Sequence, residues 1–201
     1  GINEADTLKY FQAHVAQGTT EQRTVARYGL GLFALNTLKF AEAEAIFQQL
    51  SKEYPNQPQY VIAMARTALD SKNFKTALSR YKKLTEQYPD NEAIKLEYIT
   101  TLLKAGNAGQ AHKYLLLLTP KTQRLPIYSE LLAQAYSDLN QPAESHRYLA
   151  EYYYATGQTR DAVLQIRLAQ QSKGLNPQLS ASLNDRLNFF IKEQEEAKRN
   201  R

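Results

Sequence analysis

The feature that most constrains the fold is a short phrase that occurs twice, LSKEYPNQ at residues 50–57 and LTEQYPDN at residues 84–91. Pro55 and Pro89 stand 34 positions apart, and apolar and turn residues recur at the same step in the surrounding sequence, while the polar residues change freely. Such a period is typical of stacked structural units, each of which buries its apolar face against its neighbours.

Each 34-residue unit predicts two helices joined by a short turn. In the unit at residues 58–91, the stretch 71–73 interrupts two runs of helical spacing, made by Val61, Met64, Ala65 and Ala68 and then by Phe74, Ala77, Leu78, Tyr81 and Leu84. We expect Ala77 where the two helices approach most closely and Tyr81 in the gap to the next unit.

The repeated tyrosine and proline mark the joints between units. Proline costs about 3 kcal/mol inside a helix, so a helix is expected to end before Pro55 and before Pro89. Asn56 and Asp90 follow these prolines, and both residue types favour helix N-caps. We therefore expect them to cap the helices that begin the next units.

These signals predict one all-α domain over residues 1–201, a solenoid of helix pairs. The pieces are an N-terminal helix at 1–22, units at 24–57, 58–91, 92–125, 126–142 and 143–173, and a C-terminal capping helix and tail at 177–201. The last two units are expected to be irregular. The end pieces cover apolar faces that would otherwise meet water.

Composition excludes several classes of function. The chain has no cysteine, and its apolar runs, such as LLLLT at residues 115–119, are too short to cross a bilayer. Its net charge of +5 comes from scattered bases diluted by 20 acidic residues, so neither a nucleic acid nor a membrane span is expected. The start at Gly1 leads us to expect a processed protein or a piece of a longer one.

The 34-residue helix pair, with small residues at the close crossing, LG at residues 30–31 and a proline at the joint, resembles the tetratricopeptide repeat. The resemblance implies a right-handed α-solenoid that binds proteins or peptides on the concave face lined by the first helix of each pair. Alignment within the repeat places there Tyr28, Leu32, Asn36, Gln59, Ile62, Arg66, Asp70, Thr100, Lys104, Glu130, Gln134, Asp138, Arg147, Glu151 and Tyr154. This mixed set predicts a ligand held by apolar and amide contacts rather than by a basic clamp.

No catalytic or cofactor-binding constellation is found in the sequence. The three histidines, His14, His112 and His146, are isolated, and none begins the HExxH pattern that would hold a catalytic zinc. A GxSxG elbow and a glycine-rich phosphate loop are also missing. We expect a non-catalytic segment with no cofactor.

A narrower resemblance rests on ARYGLGLFAL at residues 26–35, FAEAEAIFQQL at 40–50 and HRYLAEYYYATG at 146–157. These stretches look like the C-terminal repeat region of BepA-like periplasmic metalloproteases, whose zinc-binding HExxH domain precedes the repeats. The resemblance implies a periplasmic location and a docking role in assembly and quality control of outer-membrane β-barrel proteins. It also implies zinc only in a preceding protease domain, with the β-barrel assembly machinery and unfolded outer-membrane proteins as partners.

Two alternatives stay open at the level of sequence. The chain could be a stand-alone adaptor or scaffold in a secretion, pilus or cytosolic complex. The other alternative concerns the role of three consecutive tyrosines, Tyr152, Tyr153 and Tyr154. Their side chains cannot form one helical stripe, so at least one is expected in the core and another in solvent or in a groove. Packing is the favoured role for these tyrosines, and an aromatic binding anchor is the other.

Overall fold

The computed structural model describes residues 3–199, and this part of the chain is all α-helical, as the sequence predicts. Its helices are α1 (Glu4–Gln17), α2 (Thr20–Asn36), α3 (Phe40–Glu53), α4 (Pro58–Asp70), α5 (Phe74–Gln87), α6 (Glu92–Lys104), α7 (Ala108–Leu116), α8 (Pro120–Gln123), α9 (Pro126–Asp138), α10 (Pro142–Ala155), α11 (Thr159–Gln170) and α12 (Pro177–Arg199). The chain divides between Ile94 and Lys95 into two compact units.

In the first unit, each helix from α1 to α4 packs against the next helix in the chain, and α2 also contacts α4. The repeated small and aromatic residues form the core of these contacts. Ala43, Phe47, Ala77 and Tyr81 are all completely buried. The close-approach role expected for Ala77 and the gap-filling role expected for Tyr81 agree with this burial.

In the second unit, α9 packs against α7, α8 and α10, and α10 packs against both α9 and α11. The last helix, α12, covers α11 and closes a core that contains Ala150, Ala162, Ile166, Leu183 and Phe190. This is the contact that a capping helix would make, and the capping role itself stays a prediction.

The 34-residue step is also visible in the backbone of the turns. Leu38, Lys72, Gly106 and Asn140 adopt positive φ angles of 60°, 62°, 79° and 56°. These four residues follow one another at steps of 34, although only one of them is glycine. The turn geometry therefore keeps the period as far as residue 140, beyond the joints where the tyrosine and proline signal ends.

The helix N-caps at the two joints lie one residue later than predicted. The prediction that Asn56 and Asp90 are N-caps was therefore wrong. Gln57 holds the N-cap position of α4, and no side chain caps this helix. Pro58 at the first helical position has no amide hydrogen, so one donor fewer needs a partner. At α6 the cap is Asn91, whose Oδ1 accepts from the backbone N–H of Ile94 at 3.2 Å.

Candidate protein-binding site

A pocket of about 620 Å³ lies in the second unit, lined by residues of α6, α9 and α10. The aliphatic side chains of Leu103, Leu131 and Leu149 form its apolar lining. Leu103 and Leu131 are largely buried, with 8% and 7% of their surface exposed. The volume is within the range of about 300–1,000 Å³ found for ligand-binding clefts.

Four of the side chains predicted for the concave face line this one pocket: Thr100, Lys104, Glu130 and Gln134. The first two come from α6, and the other two come from α9. Polar and oppositely charged groups thus surround an apolar floor. This is the mixed composition that the sequence analysis expected for a peptide ligand.

The amide of Gln134 also fixes the position of Asp138, another predicted residue. Its Nε2 donates to Asp138 Oδ1 at 2.7 Å, one turn further along α9. The Gln134 carbonyl oxygen is therefore directed away from this bond, because the two groups occupy opposite ends of the amide. It can accept a hydrogen bond from the backbone of a bound peptide.

Leu149 and Ser145 belong to the pocket but were missed as site residues. Ser145 stands 34 positions after Ala111, the small residue of the preceding unit, and Leu149 stands 34 after Leu115. The period therefore contained the signal that could have found them. The Ser145 hydroxyl donates to the Ala133 carbonyl oxygen at 2.8 Å, which holds α10 against α9 beside the pocket.

In the first unit, Tyr28 belongs to the packing between α2, α3 and α4. Its ring centroid lies 5.8 Å from that of Phe47 and 5.6 Å from that of Tyr60. Burial, followed by the neighbouring Tyr60, raises the pKa of the Tyr28 hydroxyl, and the positive charge of Arg66 acts in the opposite direction.

The other predicted residues of this unit have more solvent contact. Arg66 and Asp70 are exposed and pair along one face of α4, with 3.8 Å between Nε and Oδ2. Gln59 and Ile62, also on α4, are half-buried, and Asn36 is exposed at the end of α2. This set is separate in sequence from the residues that line the pocket.

Arg147, Glu151 and Tyr154 all lie on α10, and each is engaged by another side chain. Arg147 donates to Glu144 at 2.8 Å. Glu151 accepts two hydrogen bonds from Arg186 of α12, at 2.6 and 2.7 Å. The structure thus places Glu151 in a contact between helices rather than beside the pocket.

Tyr154 packs against α12 instead of facing open solvent. Its hydroxyl donates to Glu193 at 3.0 Å, and its ring centroid lies 5.0 Å from that of Phe190. Burial, together with the carboxylate of Glu193, raises the pKa of this hydroxyl. These contacts fit the packing role that was one of the two readings of the tyrosine triplet.

Two segments of the chain, residues 68–135 and residues 25–56, match family models that are both described as tetratricopeptide repeats. These two segments therefore carry tetratricopeptide repeats, and repeats of this kind bind proteins or peptides. This fold is typically non-catalytic. Among residues 3–199, no three His, Asp or Glu side chains gather closely enough to hold a metal ion.

A solved structure agrees with this fold. A tetratricopeptide repeat protein from Parabacteroides merdae, determined at 2.39 Å resolution, superposes with a TM-score of 0.60 over 94% of this chain and 78% of its own. The identity of 13% means that this likeness shows the fold alone. A thermophilic tetratricopeptide repeat protein from Thermus thermophilus superposes with a TM-score of 0.49 at 19% identity, over 82% of this chain and 98% of its own.

No helix within the described range is both long and apolar enough to cross a membrane.

Proposed function

We propose that the pocket between α6, α9 and α10 is the docking site for an extended segment of a client protein. The observation that carries this proposal is the convergence of Thr100, Lys104 and Gln134 on one apolar floor. Leu103 and Leu131 offer a pocket for an aliphatic or aromatic side chain, and burial of such an anchor is the usual source of affinity in an interface.

The polar rim suits the main chain of the ligand. Lys104 and Glu130 place a positive and a negative group at the same pocket, so neither a strongly acidic nor a strongly basic peptide is favoured. Gln134 offers an amide oxygen to a backbone N–H. A client with alternating apolar residues, such as a strand of an unfolded β-barrel, fits these requirements.

We further propose that this docking serves a periplasmic zinc metalloprotease and chaperone in the assembly and quality control of outer-membrane β-barrel proteins. The support for this role is the resemblance of residues 26–50 and 146–157 to BepA-like proteases. The zinc would belong to a preceding protease domain, and the β-barrel assembly machinery would be a partner. An HExxH motif and an export signal upstream in the same reading frame are the expected findings, and a frame without them contradicts this role.

The docking site can be tested with Gln134→Arg, which places a long cationic side chain at the exposed rim of the pocket. The matched control is Gln178→Arg, the same exchange at an exposed position of α12. Affinity is measured by fluorescence anisotropy with a labelled peptide from a transmembrane strand of an outer-membrane β-barrel protein. We expect Gln134→Arg to weaken binding about fivefold or more, and the control to bind as the wild type does.

Two results would contradict different parts of the proposal. Equal affinities of Gln134→Arg and the wild type would reject the pocket as the binding site. Equal binding of the β-barrel peptide and of a sequence-scrambled version of it would leave the pocket in place but reject the specialisation for β-barrel clients.

A further inference from the structure

A second surface of the molecule combines exposed leucines with basic side chains. It lies where α7 ends and α8 begins, over residues 113–125. We define the α7–α8 patch by the exposed side chains of Lys113, Leu116, Leu117, Lys121, Arg124 and Leu125. None of these residues lines the pocket between α6, α9 and α10.

Helix geometry explains why the leucines face solvent. Leu115 and Leu118 are buried, with 0% and 4% exposure, and they fix the inward side of this turn. Because successive residues of a helix point about 100° apart, Leu116 and Leu117 must then point outward. Leu117 is 76% exposed, more than any other large apolar side chain in residues 3–199.

The segment is also held in place by its own contacts. Thr122, which belongs to this segment, is buried, and the Nε2 of Gln123 donates to the carbonyl oxygen of Leu118 at 2.9 Å. A fixed backbone presents the leucines without the loss of conformational entropy that a flexible loop would suffer on binding. The exposed side chains are therefore ready for contact with a partner.

The charged residues of the sequence segment that contains the patch all have one sign. Residues 98–129 contain four Lys or Arg residues and no Asp or Glu, and the nearest acidic residues in sequence are Glu97 and Glu130. Lys113, Lys121 and Arg124 take no part in the ion pairs of the described chain. Their positive charges are thus available to an anionic partner.

We propose that the α7–α8 patch binds the surface of an anionic lipid membrane, with Leu116 and Leu117 inserted at the level of the headgroups. Exposed aliphatic side chains flanked by lysine and arginine are the combination that interfacial membrane binding uses. The leucines bury apolar surface at the boundary between the headgroups and the acyl chains, and the bases contact lipid phosphates. The chain is thereby held on the membrane surface without crossing it.

Flotation with lipid vesicles tests this proposal on the full 201-residue chain. One vesicle type contains phosphatidylcholine and phosphatidylglycerol in equal parts, and the other contains phosphatidylcholine alone. At about 50 mM salt we expect the wild type to float with the anionic vesicles and to partition about tenfold less onto neutral ones. Raising the salt to about 300 mM should weaken the anionic binding.

Two sets of variants assign the binding to the patch. Leu116→Gln with Leu117→Gln should lower the partition onto anionic vesicles about fivefold or more, and its control is Leu164→Gln with Leu168→Gln on α11. Removal of the three patch charges by Lys113→Gln, Lys121→Gln and Arg124→Gln should lower it about tenfold. The control for charge is the triple change Arg160→Gln, Lys173→Gln and Lys198→Gln, at exposed bases of the same unit.

Several outcomes would overturn the proposal. The first is a wild type that fails to float with anionic vesicles, which would leave an acidic protein as the occupant of the patch. The second is equal loss of binding in the patch triple and the control triple, because net charge alone would then explain the affinity. The third is a leucine double variant that floats as the wild type does while its thermal unfolding, followed by circular dichroism, is unchanged.

Discussion

Gly31 shows how a single residue sets the distance between two helices. It lies in α2, where an added Cβ would stand 2.5 Å from Cε1 and 2.9 Å from Cζ of Phe47. Phe47 is completely buried, so its ring cannot swing aside. For Gly31→Ala we expect an overpacking cost of about 1–3 kcal/mol, which exceeds a gain of about 1 kcal/mol in helix propensity. The free energy of unfolding in urea should fall by about 1 kcal/mol.

The matched control for this exchange is Gly109→Ala in α7. A Cβ at Gly109 meets nothing within 4 Å, so only the propensity gain remains and stability should rise by up to about 1 kcal/mol. Equal changes at the two glycines would contradict the close-packing argument. The sequence alone indicated a repeat glycine at position 31, but its contact with Phe47 depends on how α2 docks on α3, which no local pattern specifies.

At the scale of elements, Arg186 is one of the side chains that hold α12 against α10. The Arg186 guanidinium donates to both carboxylate oxygens of Glu151 and lies 4.6 Å from the ring centroids of Phe189 and Phe190. The two charged side chains are 31% and 28% exposed, so solvent screens the pair only in part.

We expect Arg186→Gln to loosen α12 while the rest of the second unit stays folded. Loss of the bidentate pair and the ring contacts should cost about 1–2 kcal/mol. Hydrogen exchange measured by mass spectrometry should then be faster in peptides from α12 and unchanged in α9. In the control Lys192→Gln, exchange in α12 should match the wild type, because Lys192 lies 3.8 Å from Glu196 in an exposed pair. Slow exchange of α12 in Arg186→Gln would show that the other contacts of this helix, among them the Tyr154–Glu193 hydrogen bond, hold it without Arg186.

The elements differ in how far the sequence could predict them. The 34-residue period of the apolar residues predicted the helix pairs, because side chains 34 residues apart repeat the same packing. The period did not predict α8, a four-residue helix that begins at the early Pro120. It also did not predict that α7 is short. The period also did not predict the contacts that Glu151 and Tyr154 make with α12. Their partners lie 35 and 39 residues further along the chain, outside the register of the repeat.

At the scale of the whole molecule, four buried or half-buried tyrosines make the stability fall at alkaline pH. Burial is the largest cause that raises the pKa of Tyr28, Tyr128, Tyr136 and Tyr154 above 10.0. In the unfolded chain these hydroxyls ionise near pH 10, before they do so in the folded protein. The unfolded state therefore releases protons first, and stability falls as the pH rises from about 10 through the raised pKa values. Below about pH 10 this contribution is fully present.

Tyr128→Phe isolates one of these groups, because it keeps the buried ring and removes the ionisable hydroxyl. The free energy of unfolding in urea is measured for both proteins at about pH 8 and about pH 11. Lysine deprotonation affects both proteins alike, so the difference between their losses reports on Tyr128. We expect the variant to lose less stability than the wild type over this range. An equal loss would mean that Tyr128 ionises in the folded protein as readily as in the unfolded chain, and that its burial does not exclude the charged form.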